Sequence, residues 1–205
     1  MAGFAYLNAQ VPLAFAHRGG AAAADENTAE AFGRAVALGF RYVETDVHAT
    51  ADGVPVVFHD DSLRRLTGET GRIATRRWAD LATVRVGGAA AIPRLDEVLA
   101  GWPEIRFNID VKADPAIGRG RAIGRLPVSA VAAQVPVRHG LIHIVDRRFV
   151  AHAHRLGLQV HVWTIDDPAE MHRLLDLGLD GIMTDDLEAL RTVYLDRGHW
   201  PPLAE

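Results

Sequence analysis

Two carboxylate side chains, Glu44 and Asp46, stand two residues apart in a short strand-like stretch, Tyr42–Val47. Residues two apart in a strand point to the same face, so Glu44 and Asp46 should project together. Two adjacent carboxylates repel each other unless a cation lies between them. Their oxygen ligands, in a chain without cysteine, favour Mg²⁺, Ca²⁺ or Mn²⁺ over Zn²⁺. We therefore predict one divalent cation here; the alternative is the solvated face of a half-exposed strand.

A second stretch, Arg106–Lys112, repeats this arrangement. Asn108, Asp110 and Lys112 share one face of the predicted strand. Asp110 is a candidate for the third metal carboxylate, and Lys112 for a phosphate or transition-state contact. The alternative is an internal ion pair between these two side chains.

Two histidines each follow an apolar strand, His17 after Leu13–Ala16 and His59 after Val54–Phe58. One of them alone is typical of a structural residue, but two imidazoles at the same sheet edge suit general acid and general base catalysis near neutral pH. Arg18 adds a planar group suited to phosphate. Gly19 and Gly20 allow the backbone to approach a ligand closely.

Short apolar stretches alternate with amphipathic ones along the chain, which predicts an α/β fold with a parallel sheet. The predicted strands are Leu13–Ala16, Tyr42–Val47, Val54–His59, Arg106–Lys112, Ala132–Val135, Gln159–Ile165 and Gly181–Thr184. The predicted helices are Thr28–Leu38, Leu95–Ala100, Arg147–Leu156, Pro168–Leu177 and Asp186–Arg197, with a short one around Trp78–Leu81 in an elaborated loop over 60–92. Thr28 is predicted to be the N-cap of the first of these helices.

Composition narrows the class of protein. With 205 residues, 49% of them hydrophobic, we expect a single domain over 1–205. A net charge of −4 argues against a nucleic-acid binder or a general binder of anionic membranes. We expect a cytoplasmic protein without stable membrane anchoring, because the chain shows no secretory signal pattern and no apolar span. The oligomeric state is not predicted.

Seven motifs in order complete the pattern: HRG, ENT, ETDV, VVFHD, NIDVK, VHVWTID and GIMTD. Over Leu13–Leu190 this set closely resembles the glycerophosphodiester phosphodiesterase family. The resemblance implies a TIM barrel, a divalent cation, and hydrolysis of small glycerophosphodiesters to sn-glycerol 3-phosphate and an alcohol.

The resemblance also implies roles for individual residues. His17 and His59 match the catalytic pair, Glu44 and Asp46 the metal ligands, Arg18 the phosphate contact, Glu26 a first-loop acid near the metal, Asn27 a phosphate or scaffold contact, Lys112 the lysine of the third-strand motif, and Trp163 the aromatic at the glycerol end. Asp110 departs from the glutamate usual at its position. Its side chain is one methylene shorter, and we still assign it to the metal.

The length of the chain is a second departure from the family. A TIM barrel takes about 250 residues, yet few residues separate Lys112 from the strand that resembles the sixth of the family. We therefore expect strands four and five to be missing, through an open or re-closed six-stranded barrel, a deletion variant, or an omitted segment. Two other functions stay open: a lysophospholipase D-like activity on larger lipids, and a catalytically weak barrel that binds glycerophosphodiesters or phosphate.

Overall fold

The computed structural model describes residues 5–21, 24–112 and 131–200. Its strands are β1 Leu13–His17, β2 Tyr42–Ala49, β3 Pro55–Val57, β4 Arg85–Val86, β5 Ala90–Ala91, β6 Arg106–Val111, β7 Ala132–Pro136, β8 Arg138–His139, β9 Ile142–His143, β10 Gln159–Trp163 and β11 Gly181–Thr184. Its α-helices are α1 Ala29–Ala37, α2 Arg64–Thr67, α3 Trp78–Leu81, α4 Leu95–Gly101, α5 Arg147–Arg155, α6 Pro168–Asp176 and α7 Leu187–Asp196.

Six parallel strands form the main sheet, in the order β6-β2-β1-β11-β10-β7. The short β3 pairs antiparallel with the end of β2. β1 lies at the centre, because it joins β2 from the first half of the chain to β11 from the second. The predicted α/β class with a parallel sheet is confirmed.

The sheet is curled. β6 and β7 are its two edge strands, yet the Asn108 amide on β6 donates to the Gln134 side chain on β7 at 3.3 Å. Edge strands of a flat six-stranded sheet would lie more than 20 Å apart, at about 4.8 Å per strand. The architecture is therefore an incomplete barrel of the TIM type. The predicted loss of strands four and five concerns residues 113–130, which lie outside the described residues, and stays a prediction.

Aspartate and threonine side chains fix where the helices start. The Thr28 hydroxyl accepts from the Ala31 amide at the start of α1, as predicted. Asp146, Asp167 and Asp186 cap α5, α6 and α7 in the same way. Such caps satisfy amides that have no partner inside the helix. The caps of α6 and α7 stand just after β10 and β11, at the edge of the sheet where the predicted site residues lie.

The segment after β3 holds more structure than predicted. The sequence indicates one short helix around Trp78–Leu81, which is α3. The structure adds α2 and the β4–β5 hairpin, and its buried side chains form a separate apolar cluster that includes Phe58 and Ile73. A second hairpin, β8–β9, follows β7 and was not predicted. Among the described residues, no helix is both long and apolar enough to cross a membrane.

Candidate active site

A cavity of about 440 Å³ opens at the carboxyl ends of the parallel strands. Eight of the ten predicted site residues line it: His17, Arg18, Glu44, Asp46, His59, Asp110, Lys112 and Trp163. The carboxyl ends of β1, β2, β6 and β10 meet here, and this is the face on which barrels of this type carry their catalytic residues. Asn108 and Gln134 also contribute to the wall.

His17 ends β1 and has carboxylates on both sides. Its Nδ1 donates to Asp185 Oδ1 at 2.6 Å, and its Nε2 lies 3.7 Å from Glu44 Oε2. Burial lowers the pKa of His17, but the hydrogen bond to Asp185 and the charge of Glu44 outweigh it and leave the pKa above its usual value. The Asp185 contact fixes the ring so that Nε2 is the atom available to a substrate.

His59 also lines the cavity and is held in a similar way. Its Nδ1 donates to Asp60 Oδ1 at 2.6 Å, and its backbone carbonyl accepts from His48 Nε2 at 3.0 Å. Arg65 donates to both oxygens of Asp60, and its hydrogen bonds lower the pKa of Asp60 to about 2. Asp60 therefore stays ionised and holds the ring of His59.

Glu44 and Asp46 project from the same face of β2, and both are buried, with 6% and 2% of their surface exposed. Their predicted adjacency is confirmed, and the alternative of a solvated strand face is wrong. Burial, followed by the charge of Asp46, raises the pKa of Glu44 to about 7. The positive charges of His17 and Arg18 act against this rise but do not outweigh it.

Lys112 lies at the cavity wall and bridges two acids. Its Nζ is 2.8 Å from Asp46 Oδ1 and 2.5 Å from Asp110 Oδ2. Asp110 stands opposite Asp46 in the β2–β6 register, but its side chain is 57% exposed. The ion pair between Asp110 and Lys112, the alternative raised by the sequence, is thus what the structure contains.

Arg18 is held from three directions. Its backbone has the left-handed φ of +54°, and its amide donates to the backbone carbonyl of Glu44 at 2.9 Å. Its Nη1 donates to Glu26 Oε1 at 2.9 Å, and its Nε lies 3.2 Å from Asp46 Oδ2. The guanidinium is therefore fixed at the cavity wall before any ligand arrives.

Glu26 and Asn27 do not belong to the cavity lining, but both form hydrogen bonds with residues that do. Both Glu26 oxygens accept hydrogen bonds from Arg65, and one of them also accepts from Arg18. The Asn27 side chain donates to Asp46 Oδ2 at 2.9 Å and accepts from the Thr45 hydroxyl at 2.7 Å. In this arrangement Glu26 orients arginines and Asn27 acts as the scaffold contact.

A divalent cation of this kind needs several oxygen ligands, carboxylates among them. Glu44 and Asp46 supply adjacent, buried carboxylate oxygens, which fit such an ion. The two Asp46 oxygens contact Lys112 and Arg18 in this structure. Among the described residues, however, no three His, Asp or Glu side chains already converge on one point. The reason is local: Asp110, the predicted third ligand, points its carboxylate at the Lys112 ammonium.

Sequence reasoning missed three side chains that hold the histidines: Asp60, Arg65 and Asp185. Asp60 and Asp185 were each part of a recognised motif, VVFHD and GIMTD, without a role assigned to them. For Asp185 the available signal was position, because an aspartate directly after a parallel strand lies at the same edge as a histidine that ends a neighbouring strand.

Several known proteins are similar to this chain in sequence. The model of the "Glycerophosphoryl diester phosphodiesterase family" matches residues 17–122 and 117–189. A Mycobacterium tuberculosis protein named "Probable glycerophosphodiester phosphodiesterase 2" is 33% identical, with 92% of each chain covered. "Lysophospholipase D GDPD1" of Rattus norvegicus is 23% identical, with 82% of each chain covered.

A solved structure shows the same fold. It is a phosphodiesterase of Oleispira antarctica in complex with the product sn-glycerol-3-phosphate, with a TM-score of 0.72 and 22% identity. The match covers 91% of this chain and 97% of that one. The extent of the family match and the identity to the mycobacterial relative settle the assignment: the chain belongs to the glycerophosphoryl diester phosphodiesterase family, a family of phosphoric diester hydrolases.

Proposed function

We propose that this chain hydrolyses small glycerophosphodiesters to sn-glycerol 3-phosphate and an alcohol, with His17 and His59 as the acid–base pair. One observation carries the proposal. Both imidazoles line one cavity, and each has its Nδ1 bound to an aspartate, which leaves Nε2 as the proton-transferring atom. The Oleispira antarctica relative, whose structure contains this product, supports the choice of substrate.

The chain's own residues account for substrate binding and proton transfer. Arg18 and Lys112 offer positive charge for the phosphate oxygens and for the charge that develops on phosphorus. One histidine removes a proton from the attacking oxygen, and the other donates a proton to the leaving alcohol. Trp163, at the mouth with 42% of its surface exposed, offers an apolar face for the glycerol end.

A divalent cation completes the proposed site. Enzymes of this family generally depend on such an ion. Glu44 and Asp46 would hold it here, and Asp110 would join them by exchanging its contact with Lys112. When bound, such an ion neutralises negative charge on the phosphate and on these carboxylates. Mg²⁺, Ca²⁺ and Mn²⁺ all suit oxygen ligands.

The test is release of glycerol 3-phosphate from glycerophosphocholine by the purified chain, before and after EDTA and after each cation is restored. His17→Ala and His59→Ala should each lower turnover by about 10²–10⁴-fold. His152→Ala, on the exposed face of α5, is the matched control. Near-normal turnover in both site variants would refute the acid–base assignment. Turnover that resists EDTA would refute the requirement for a cation but not the acid–base assignment. Binding of glycerol 3-phosphate without turnover would favour the weak-barrel function.

A second candidate is lysophospholipase D-like hydrolysis of larger lipid diesters. Such substrates need an apolar entrance, and two exposed aliphatic side chains, Leu141 and Ile142, follow the strand that borders the cavity mouth. The rat relative named for this activity supports the same candidate. Turnover of lysophosphatidylcholine measured beside turnover of glycerophosphocholine distinguishes the two.

A further inference from the structure

We infer that the β8–β9 hairpin is a docking element for an anionic lipid surface, which it binds reversibly with the cavity mouth facing the lipid. The first observation is exposure. At the hairpin tip Leu141 is fully exposed and Ile142 is 67% exposed. Two adjacent aliphatic side chains at the tip of a tight turn cannot be covered by their own two-residue strands.

The second observation is the position of the hairpin in the barrel. β7 ends at Pro136, which stands beside Trp163 in the β10–β7 register, and Trp163 lines the cavity. The hairpin begins two residues later, at Arg138. It therefore rises from the rim of the cavity, and a surface that touches its tip also faces the opening.

The third observation is charge. The segment 138–148 contains three arginines and two histidines against a single acid, Asp146, in a chain whose net charge is −4. Asp146 is occupied in capping α5. Glu170 lies within electrostatic reach of His143 and Arg138, but both of its carboxylate oxygens are bound to Arg173. The hairpin and the adjoining start of α5 thus combine aliphatic side chains at the tip with three arginines at the foot, Arg138, Arg147 and Arg148. This is the pattern of reversible interfacial binding to anionic lipid.

Chain topology gives the hairpin a matched control. Leu156 is also exposed, at 62%, but it ends α5, which runs from the cavity rim to the opposite end of the barrel just before β10 begins. Replacing Leu156 removes a comparable exposed aliphatic group from the far side of the molecule. If the chain docks through its cavity face, replacing Leu156 should leave vesicle binding unchanged.

The experiment is co-sedimentation of the full chain with vesicles of phosphatidylcholine and phosphatidylserine, and with vesicles of phosphatidylcholine alone. The wild-type chain should bind the mixed vesicles more strongly, and added salt should weaken this binding. Leu141→Ser with Ile142→Ser should lower the partition coefficient by about tenfold or more, because both inserting aliphatic groups are removed. Leu156→Ser should leave it unchanged.

This inference goes beyond the proposed hydrolysis and is tested separately from it, since vesicle binding is measured without turnover. The variant with both Leu141→Ser and Ile142→Ser should hydrolyse soluble glycerophosphocholine at the wild-type rate. If its turnover fell as much as its vesicle binding, the hairpin would belong to the cavity itself and the proposal would be overturned. Unchanged vesicle binding in the double variant, or equal binding to both vesicle types, would also overturn it. So would sedimentation equilibrium showing a dimer that the double variant loses, because the hairpin would then contact a second copy.

Discussion

The hydrogen bond between His17 and Asp185 leads to the most specific prediction for the proposed reaction. Asp185 does not line the cavity, so its effect on turnover should pass through His17. Replacing Asp185 with Ala removes the acceptor at 2.6 Å from Nδ1 and frees the ring to turn or to change tautomer. The loss should therefore appear in kcat, with little change in KM.

The magnitude follows from the type of bond. A hydrogen bond to a charged group contributes about 1.5–3 kcal/mol, and the lower part of that range applies because the Asp185 side chain is 32% exposed. At about 1.4 kcal/mol for each factor of ten, Asp185→Ala should lower kcat/KM by roughly 10–30-fold. Asp185→Asn keeps an oxygen that accepts from Nδ1 and should recover part of this loss.

Steady-state kinetics on glycerophosphocholine in both backgrounds would test the coupling. In the His17→Ala background, Asp185→Ala should change kcat/KM by less than about twofold, because residues that act as a unit are not additive. Asp176→Ala, which removes a 66% exposed aspartate paired with Arg197, is the control for loss of a surface carboxylate. Additive effects of the His17 and Asp185 changes would refute the reasoning, as would full activity in Asp185→Ala.

Two further predictions concern stability. Gly19→Ala should lower the free energy of unfolding by about 1–3 kcal/mol, since Gly19 has a φ of +78° and an added Cβ would lie 2.7 Å from Phe32 Cδ1; chemical denaturation measures this. Burial lowers the pKa of His161 from 6.5 to about 4, so the unfolded state binds more protons between these values and stability should fall as the pH drops through this window. His161→Gln should remove up to about 3 kcal/mol of this pH dependence, read from denaturation curves at pH 7 and pH 4.

Two control substitutions distinguish these effects from a general loss of stability. Gly53 has a similar φ of +80° but no atom within 4 Å of an added Cβ, so Gly53→Ala should cost only the backbone strain. If it destabilises the protein as much as Gly19→Ala, the contact with Phe32 is irrelevant. His152→Gln, at an exposed position, should leave the pH dependence of unfolding as in the wild type, and an equal flattening there would contradict the role given to burial of His161.

Local patterns were sufficient for the regular part of the fold. The stretch Gly181–Thr184 was predicted with its observed bounds, and the Thr28 cap at the start of α1 was predicted correctly. These features depend on neighbouring residues, namely apolar runs bounded by glycine and side chains that cap their own helix. The two hairpins were not predicted, because strands of two residues, such as Ile142–His143, carry no measurable alternation.

The same distinction between local and long-range contacts applies to the candidate site. Glu44 with Asp46, and Asp110 with Lys112, were placed on shared faces because strand geometry fixes residues two apart. The partner of His17 depends on the pairing of β1 with β11, which joins residues distant in sequence. The competition of Lys112 and a cation for Asp110 depends on side-chain geometry, which a pattern of residue types does not contain.

The central position of β1 has a consequence for how activity develops during folding. The carboxylates of β2 and the histidine of β1 come from the first 60 residues, whereas Asp185 lies 168 residues beyond His17. A contact of such separation closes a very large loop and is expected late in folding. A refolding intermediate could therefore hold both histidines and still turn over slowly. Recovery of full kcat would then report the docking of β11 onto β1, after most secondary structure has formed.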